Sequence, residues 1–172
     1  MRDNEHKLIK EYIFKKYKKT YKDLFDAKIH VNLTTWKMRD SYVPIMLENF
    51  KKQTIKPDKI ILWLSRDEYD EHNLPLHLQK CLDDGLLTDI MWVDKNIYCH
   101  KRHECFKYYN DVYNVFIDDD ILYEPNFLEE IVSESKKYQN CITCTAGKIQ
   151  NYVGTQRIMS KFIKGTKPSL NN

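Results

Sequence analysis

Residues that break regular secondary structure are scarce in this sequence, with only 4 glycines and 5 prolines among 172 residues. Linkers and low-complexity tracts are usually rich in these residues, so little of the chain is available for either. Hydrophobic residues account for 42% and charged residues for 31%, which are the proportions of a globular protein. A chain of this length buries well over half of its unfolded surface, so we expect one folded domain that needs no disulfide or metal to fold.

Cysteine occurs in an odd number, five, without the spacing of a disulfide framework. Reduced thiols are therefore expected. Cys141 and Cys144 form a single CxxC with no second pair. Residues three apart in a strand point to opposite faces, so the strand predicted here would keep the two thiols from sharing a metal ion.

Residues 99–105, with the sequence CHKRHEC, resemble a metal site more closely than the CxxC does. Cys99 and His103 fall one turn apart on the helix predicted there. A structural zinc ion needs four ligands, however, and His100 and Cys105 point elsewhere on that helix. Ordinary helix packing is therefore the favoured interpretation.

The sequence also lacks any long apolar run and any large excess of charge. The first apolar positions, such as Leu8 and Ile13, are interrupted by lysines, which excludes a signal peptide and predicts a cytoplasmic protein. The net charge is only +3, and much of the excess is local, with seven lysines between Lys7 and Lys22 against the single acid Glu11. A nucleic-acid partner is not expected.

The first 27 residues are predicted to hold a basic amphipathic helix. Between residues 5 and 25 the apolar side chains recur at close to helical spacing, with lysines on the other face. The simpler interpretation is a solvated helix packed on the domain. The alternative is peripheral contact with the anionic inner face of a membrane.

From residue 28 onwards, short β-rich runs alternate with helical ones. The predicted strands cover residues 28–34, 58–65, 89–94 and 113–118, with a fifth strand or pair of short strands at 141–149. The predicted helices cover residues 41–53, 74–84, 101–110 and 125–138. This alternation predicts an α/β fold, a mostly parallel sheet with helices on both faces, over residues 28–150, followed by a tail at 151–172.

Ligands of such sheets bind beyond the carboxyl ends of the strands. Three consecutive carboxylates, Asp118, Asp119 and Asp120, follow the apolar run of the fourth strand. Crowded carboxylates raise one another's pKa unless a cation is present, and Mg²⁺ or Mn²⁺ prefers such oxygen ligands together with phosphate oxygens and water. If side chains alternate as in a strand, Asp118 and Asp120 point to one side and Asp119 to the other. The alternative is a solvated acidic turn that caps the next helix.

The run VFIDDDILYEPNFLEEI resembles the signature of family-2-like glycosyltransferases of the GT-A fold, in which an apolar strand leads to Asp-x-Asp, Tyr-x-Pro and a helix. IHVNLTTWKMR resembles the first strand and donor loop of that family, and LENFKKQTIKPDKIILWLS its next helix, turn and strand. IMWVDKN resembles the third strand, and CHKRHECFKYYNDVYNVFI the basic segment before the motif. The resemblance covers roughly residues 28–150 and implies a Rossmann-like half that binds a nucleotide-diphosphate sugar.

The resemblance implies a set of donor-binding residues, which are Thr34, Thr35, Trp36, Arg39, Ser65, Asp67, Asp94, Lys101, Asp118 and Asp119. It implies Asp120 as the direct ligand of Mn²⁺ or Mg²⁺, and Asp118 near the ribose or a metal-bound water. Lys101 is implied as a point charge for phosphate. The simpler alternatives are loop packing for Trp36 and a solvated helix start for Lys101. Arg66 stands where the family usually has an acid.

The implied reaction is transfer of a hexosyl group to a glycan or lipid-linked acceptor, with a metal-bound nucleoside diphosphate leaving. Members of this family continue into an acceptor-binding half that supplies the catalytic base, whereas no acid follows Glu134 here. We therefore expect the base to be absent from this chain. Two alternatives stay open: a non-catalytic nucleotide-sugar-binding remnant, and a haloacid-dehalogenase-like phosphatase with Asp118 as nucleophile.

Overall fold

The computed structural model describes residues 27–137, 142–144, 146–153 and 156–164. The chain divides into two compact units, Met1–Glu129 and Glu130–Asn172. The N-terminal helix predicted for residues 5–25 lies outside the described residues, as does Cys141 of the CxxC. In the described part of the chain, no helix combines the length and the apolar character needed to span a lipid bilayer.

The described residues of the first unit form four strands that pair only in parallel, which confirms the predicted α/β class. The elements are β1 (Ile29–Thr34), α1 (Tyr42–Phe50), β2 (Lys59–Ser65), α2 (Leu76–Asp83), β3 (Asp89–Val93), a 3-10 helix (Tyr98–Lys107) and β4 (Tyr113–Phe116). A last helix, α3 (Phe127–Lys137), begins at the end of this unit. The strand order is β3-β2-β1-β4.

Strand β2 is buried because both of its faces are covered. Ile61 and Trp63 cluster with Cys105 of the 3-10 helix, and all three are fully buried. Successive strand residues point to opposite faces, so Leu62 and Leu64, which are also fully buried, lie on the other face. Cover on both faces explains why this strand reads as an uninterrupted apolar run.

The helices begin and end close to their predicted bounds. Helix α1 buries Val43, Met46, Leu47 and Phe50, which share one helical face. Helix α2 is followed by Gly85 with a φ of 68°. Glycine adopts this left-handed conformation at little cost, which is why it ends the helix here.

The helix predicted at 101–110 is instead a 3-10 helix that begins three residues earlier. Tyr98, at its first position, has a φ of 56°, and its backbone N–H donates to the side chain of Asn96. A 3-10 helix has three residues per turn, so residues i and i+3 lie one above the other. Apolar spacing over ten residues does not distinguish the two helix types.

The second unit contains a hairpin that the sequence analysis did not predict. Strands β5 (Ala146–Val153) and β6 (Gln156–Lys164) pair antiparallel in a sheet of their own. The strand predicted at 141–149 therefore starts later, and it does not join the parallel sheet. Two residues between the strands permit a hairpin, whereas a parallel pair needs a crossover of a dozen residues or more. β6 lies in the stretch predicted to be a tail.

The strand order fixes where a ligand site is expected. The chain moves from β1 outwards to β2 and β3, and then returns to place β4 on the other side of β1. β1 and β4 are therefore the neighbours at which the order reverses. Ligands of open α/β sheets bind at this reversal, beyond the carboxyl ends of the strands.

Candidate functional site

The carboxyl ends of β1 and β4 bring together two of the predicted segments. β1 ends at Thr34 and pairs with β4 up to Asn32↔Phe116. The backbone N–H of Ile117 donates to the carbonyl of Asn32, which extends this pairing by one residue. The chain segments 35–39 and 118–120 therefore leave the sheet side by side.

Asp119 is the buried member of the acidic triplet, with 1% of its surface exposed. The hydroxyl of Thr35 donates to its Oδ2 at 2.6 Å, and the Arg39 guanidinium contacts its Oδ1 at 2.8 Å. Burial raises the pKa of Asp119, although Thr35 and Arg39 act in the opposite direction. Both carboxylate oxygens are thus engaged by the loop after β1, which locks that loop to the end of β4.

Asp118 and Asp120 are the exposed members, so burial alternates along the triplet although it lies beyond the end of β4. Arg102 donates from Nη1 to Oδ1 of Asp118 at 2.7 Å and to the carbonyl of Ile117 at 2.6 Å. Arg39 donates from Nη1 to Oδ2 of Asp120 at 2.6 Å. Oδ2 of Asp118 and Oδ1 of Asp120 have no hydrogen-bond partner in the described part of the chain.

The loop after the triplet is held by its tyrosine. The Tyr123 hydroxyl accepts the backbone N–H of Asp118 at 2.8 Å, while the Tyr123 N–H donates to Asn49 of α1. Its ring packs against those of Phe50 and Phe127, and burial raises its pKa to about 12. The hydroxyl therefore stays protonated, and the Tyr-x-Pro segment closes back on the acidic triplet.

A buried glutamine fixes the far end of this loop. Gln53, 1% exposed, donates from Nε2 to the carbonyl of Glu124 at 2.7 Å and accepts the N–H of Leu128 at 2.8 Å. The N–H of Thr54 donates to the carbonyl of Pro125 at 2.7 Å. These contacts tie residues 124–128 to the end of α1.

Lys101 lies behind the site. Its ammonium is buried and donates to the Thr35 carbonyl at 3.0 Å and to Glu68 at 2.9 Å. Its position supports the loop that carries Thr35, and the neighbouring Arg102, rather than Lys101 itself, contacts an acid of the triplet. Direct contact between Lys101 and a diphosphate stays a prediction.

The remaining predicted residues at β2 and β3 form a more solvated rim. Ser65 is buried and donates to Glu68. Asp67 accepts the backbone N–H of Asn96, which lowers its pKa. Asp94, with 93% of its side chain exposed, pairs with Arg66 at 3.2 Å.

An open depression of about 570 Å³ lies beside this rim, lined by Lys37 and residues 66–72.

Two predicted residues of the loop after β1 differ in accessibility. The Thr34 hydroxyl donates to the carbonyl of Trp63 at 2.7 Å, which fixes it to β2. Trp36 is 46% exposed, and its carbonyl accepts the N–H of Arg39. The indole of Trp36 is therefore free to contact a ligand, whereas the Thr34 side chain serves the sheet.

The donor set at the triplet fits a metal ion that arrives with phosphate. No cluster of three or more histidine, cysteine or acidic side chains suited to a metal occurs within the described ranges. Two exposed carboxylates, each with one oxygen that accepts no hydrogen bond from a described residue, suit Mg²⁺ or Mn²⁺ when phosphate and water fill its other positions. Three carboxylates also face two guanidinium groups, so the cluster keeps a net negative charge.

Arg102, Tyr123 and Gln53 were not singled out from the sequence. Arg102 directly follows the predicted Lys101. The basic segment indicated that a cation lies near the acids, but not which residue contacts them. Tyr123 belongs to a recognised motif, but its contact with the Asp118 backbone depends on the fold. No protein-family model matches this sequence, and no curated protein is significantly similar to it.

Proposed function

We propose that this chain is the donor-binding portion of a GT-A glycosyltransferase, which binds a nucleotide-diphosphate sugar at Asp118 and Asp120 with Mn²⁺ or Mg²⁺. The observation that carries the proposal is the location of the triplet: two exposed carboxylates stand where the strand order reverses, anchored by the buried Asp119. The acceptor is a glycan or a lipid-linked sugar, and the reaction would occur at the cytoplasmic side of a membrane. The proposal assigns no catalytic base.

Arg39 and Arg102 act in this proposal as exchangeable counter-charges. Their Nη atoms contact the three aspartates, and their Nε atoms are buried with no hydrogen-bond partner among the described residues. Guanidinium groups bind phosphate through two parallel hydrogen bonds, so both side chains are suited to the diphosphate once a cation takes over the carboxylates. Exchange of partners would let the site bind an anion without leaving any charge unpaired.

Asp118 and Asp120 would hold the metal through Oδ2 and Oδ1, the oxygens to which no described residue donates a hydrogen bond. When bound, the metal supplies positive charge that stabilises the departing diphosphate. Asp119 and Thr35 orient Arg39, and Tyr123 fixes the backbone of Asp118. These positions are set before the ligand arrives, which limits the entropic cost of binding.

Titration calorimetry with UDP, GDP and their sugars, with and without Mn²⁺, tests the proposal. We expect one nucleotide to bind only when Mn²⁺ is present, and Asp120→Asn to weaken that binding on the order of tenfold or more. Asp111→Asn, at an exposed aspartate that precedes β4 and lies outside the predicted donor-binding set, is the matched control and should keep the wild-type affinity. Binding without metal dependence, or equal loss in both variants, would contradict the proposal.

Activity assays on the same protein distinguish the transferase from a non-catalytic binding module and from a phosphatase. Nucleotide-sugar binding with neither transfer nor donor hydrolysis would favour a non-catalytic binding module. Hydrolysis of simple phosphoesters that is abolished by Asp118→Asn would favour a phosphatase in which that carboxylate is the nucleophile. Each outcome would replace the transferase proposal.

A further inference from the structure

The 3-10 helix presents two histidines to solvent one above the other. His100 and His103 are three residues apart, which is one full turn of a 3-10 helix, and both are exposed. Their Nδ1 atoms lie 3.4 Å apart, and their ring centroids are 5.4 Å apart. Two ring nitrogens of different residues therefore converge on one small region of the surface.

This separation suits a shared cation better than a hydrogen bond. Good hydrogen bonds from N–H donors span about 2.7–3.2 Å, and 3.4 Å lies beyond that range. Two imidazole nitrogens that each lie 2.0–2.1 Å from a tetrahedral ion are about 3.3–3.4 Å apart. The observed separation therefore matches the bite of a two-histidine chelate.

Packing and charge also prepare the pair for a metal. The ring of His103 stands edge-on against Phe116 of β4, with centroids 4.9 Å apart, which fixes its orientation. Burial and the neighbouring Arg102 lower the pKa of His103, so its imidazole is neutral at physiological pH. A neutral imidazole is the form that binds metal, because protonation occupies the lone pair.

We propose that His100 and His103 bind a borderline transition-metal cation, Zn²⁺ above all, with water or an external ligand completing its coordination. Imidazole favours Zn²⁺, Ni²⁺ and Cu²⁺, whereas Mg²⁺ and Ca²⁺ prefer oxygen. The site differs in ligand chemistry from the aspartate triplet, so it stands whether or not the chain binds a nucleotide sugar. Cys99 directly precedes His100, so its side chain leaves the 3-10 helix in a different direction, and we do not include it among the ligands.

Calorimetric titration of the full-length reduced protein with ZnCl₂ and NiCl₂ tests this site. We expect one Zn²⁺ to bind, and His100→Asn and His103→Asn each to weaken it on the order of tenfold or more. His72→Asn, which removes another exposed histidine, and Cys99→Ser should stay within about twofold of wild type. MgCl₂ should give no binding at these histidines.

Loss of Zn²⁺ binding in Cys99→Ser would assign the metal to a Cys99–His103 pair and overturn the proposal. Unchanged binding in either His→Asn variant would overturn it too. Histidine side-chain NMR of the wild-type protein gives the same answer without a variant. Zn²⁺ should shift the imidazole signals of His100 and His103 together, and a shift confined to other histidines would contradict the two-histidine site.

Discussion

Two rims of the same sheet both contain arginine–aspartate pairs, yet they differ in how those charges are held. At β1 and β4, Arg39 contacts Asp119, which is 1% exposed and also bonded to Thr35. At β2 and β3, Arg66 contacts Asp94, which is 93% exposed in its side chain. Solvent screens the second pair, whereas the carboxylate of the first pair is buried and held by two donors.

The difference teaches that composition alone does not identify the site. An exposed ion pair contributes little to stability and constrains no geometry. The pairs around Asp119 orient two further carboxylates, Asp118 and Asp120, at the position where the strand order reverses. Preorganised charge at a sheet reversal is the property from which we propose ligand binding.

The largest expected effect comes from removing the buried cation behind the β1–β4 rim. Lys101→Met leaves Glu68 with the Ser65 hydroxyl but without its cationic partner, and it leaves the Thr35 carbonyl without a donor. Because Glu68 is 19% exposed in its side chain, we expect a loss near the lower end of about 3–5 kcal/mol of unfolding free energy. Arg66→Met, at the solvated rim, should change it by less than about 0.5 kcal/mol. Urea denaturation measures both, and similar losses would erase the contrast between the rims.

A smaller loss of unfolding free energy is expected from removing Gln53, which ties the loop after the triplet to the end of α1. Gln53→Ala removes both side-chain bonds of a buried residue, so the Leu128 N–H loses its acceptor and the Glu124 carbonyl keeps only the N–H of Phe127. We expect a loss of about 2–3 kcal/mol in unfolding free energy by the same method. Gln79→Ala removes an exposed bond to Asp83 and should cost less than about 0.5 kcal/mol. A loss in Gln53→Ala no greater than in Gln79→Ala would mean that this clamp does not hold the loop.

The smallest effect concerns pH and a buried histidine of β1. Burial lowers the pKa of His30 below its ordinary value of 6.5, and its Nδ1 has no hydrogen-bond partner in the described part of the chain. As pH falls through 6.5, the unfolded chain takes up this proton before the folded one does, so stability decreases.

Unfolding free energies measured at about pH 7.5 and about pH 5.5 should therefore differ less in His30→Leu than in the wild type. His72→Leu, which removes an exposed histidine, should keep the wild-type difference. An unchanged pH dependence in His30→Leu would show that the buried imidazole protonates without cost.

The sequence predicted the parallel sheet because its signals are local. Apolar runs such as residues 61–64 mark strands buried on both faces, and Gly85 marks the end of α2. The hairpin of β5 and β6 was missed because its pairing joins two stretches without a strong alternating pattern. The 3-10 helix was taken for an α-helix because both types give similar spacing over ten residues.

Several residues of the candidate site were predicted from the sequence, but the contacts between them were not. The triplet and Arg39 were chosen from the sequence, and the fold brings them into contact. Whether Lys101 or Arg102 reaches the acids depends on which side of the 3-10 helix faces the sheet, and adjacent residues in a basic segment carry no signal for that. The buried position of Lys101 against Glu68 could be known only from the three-dimensional structure.

The central claim is that Asp118 and Asp120 hold a divalent cation only together with a diphosphate. Electron paramagnetic resonance of Mn²⁺ measures this directly, because the signal of the free ion weakens when the ion is bound. We predict that the protein alone leaves most of the Mn²⁺ signal, and that the protein with UDP or GDP removes more of it than the nucleotide does by itself. The Asp118→Asn, Asp120→Asn double variant should abolish that additional loss. A signal that falls equally with and without nucleotide, or that the double variant reduces as fully as wild type, would contradict the account.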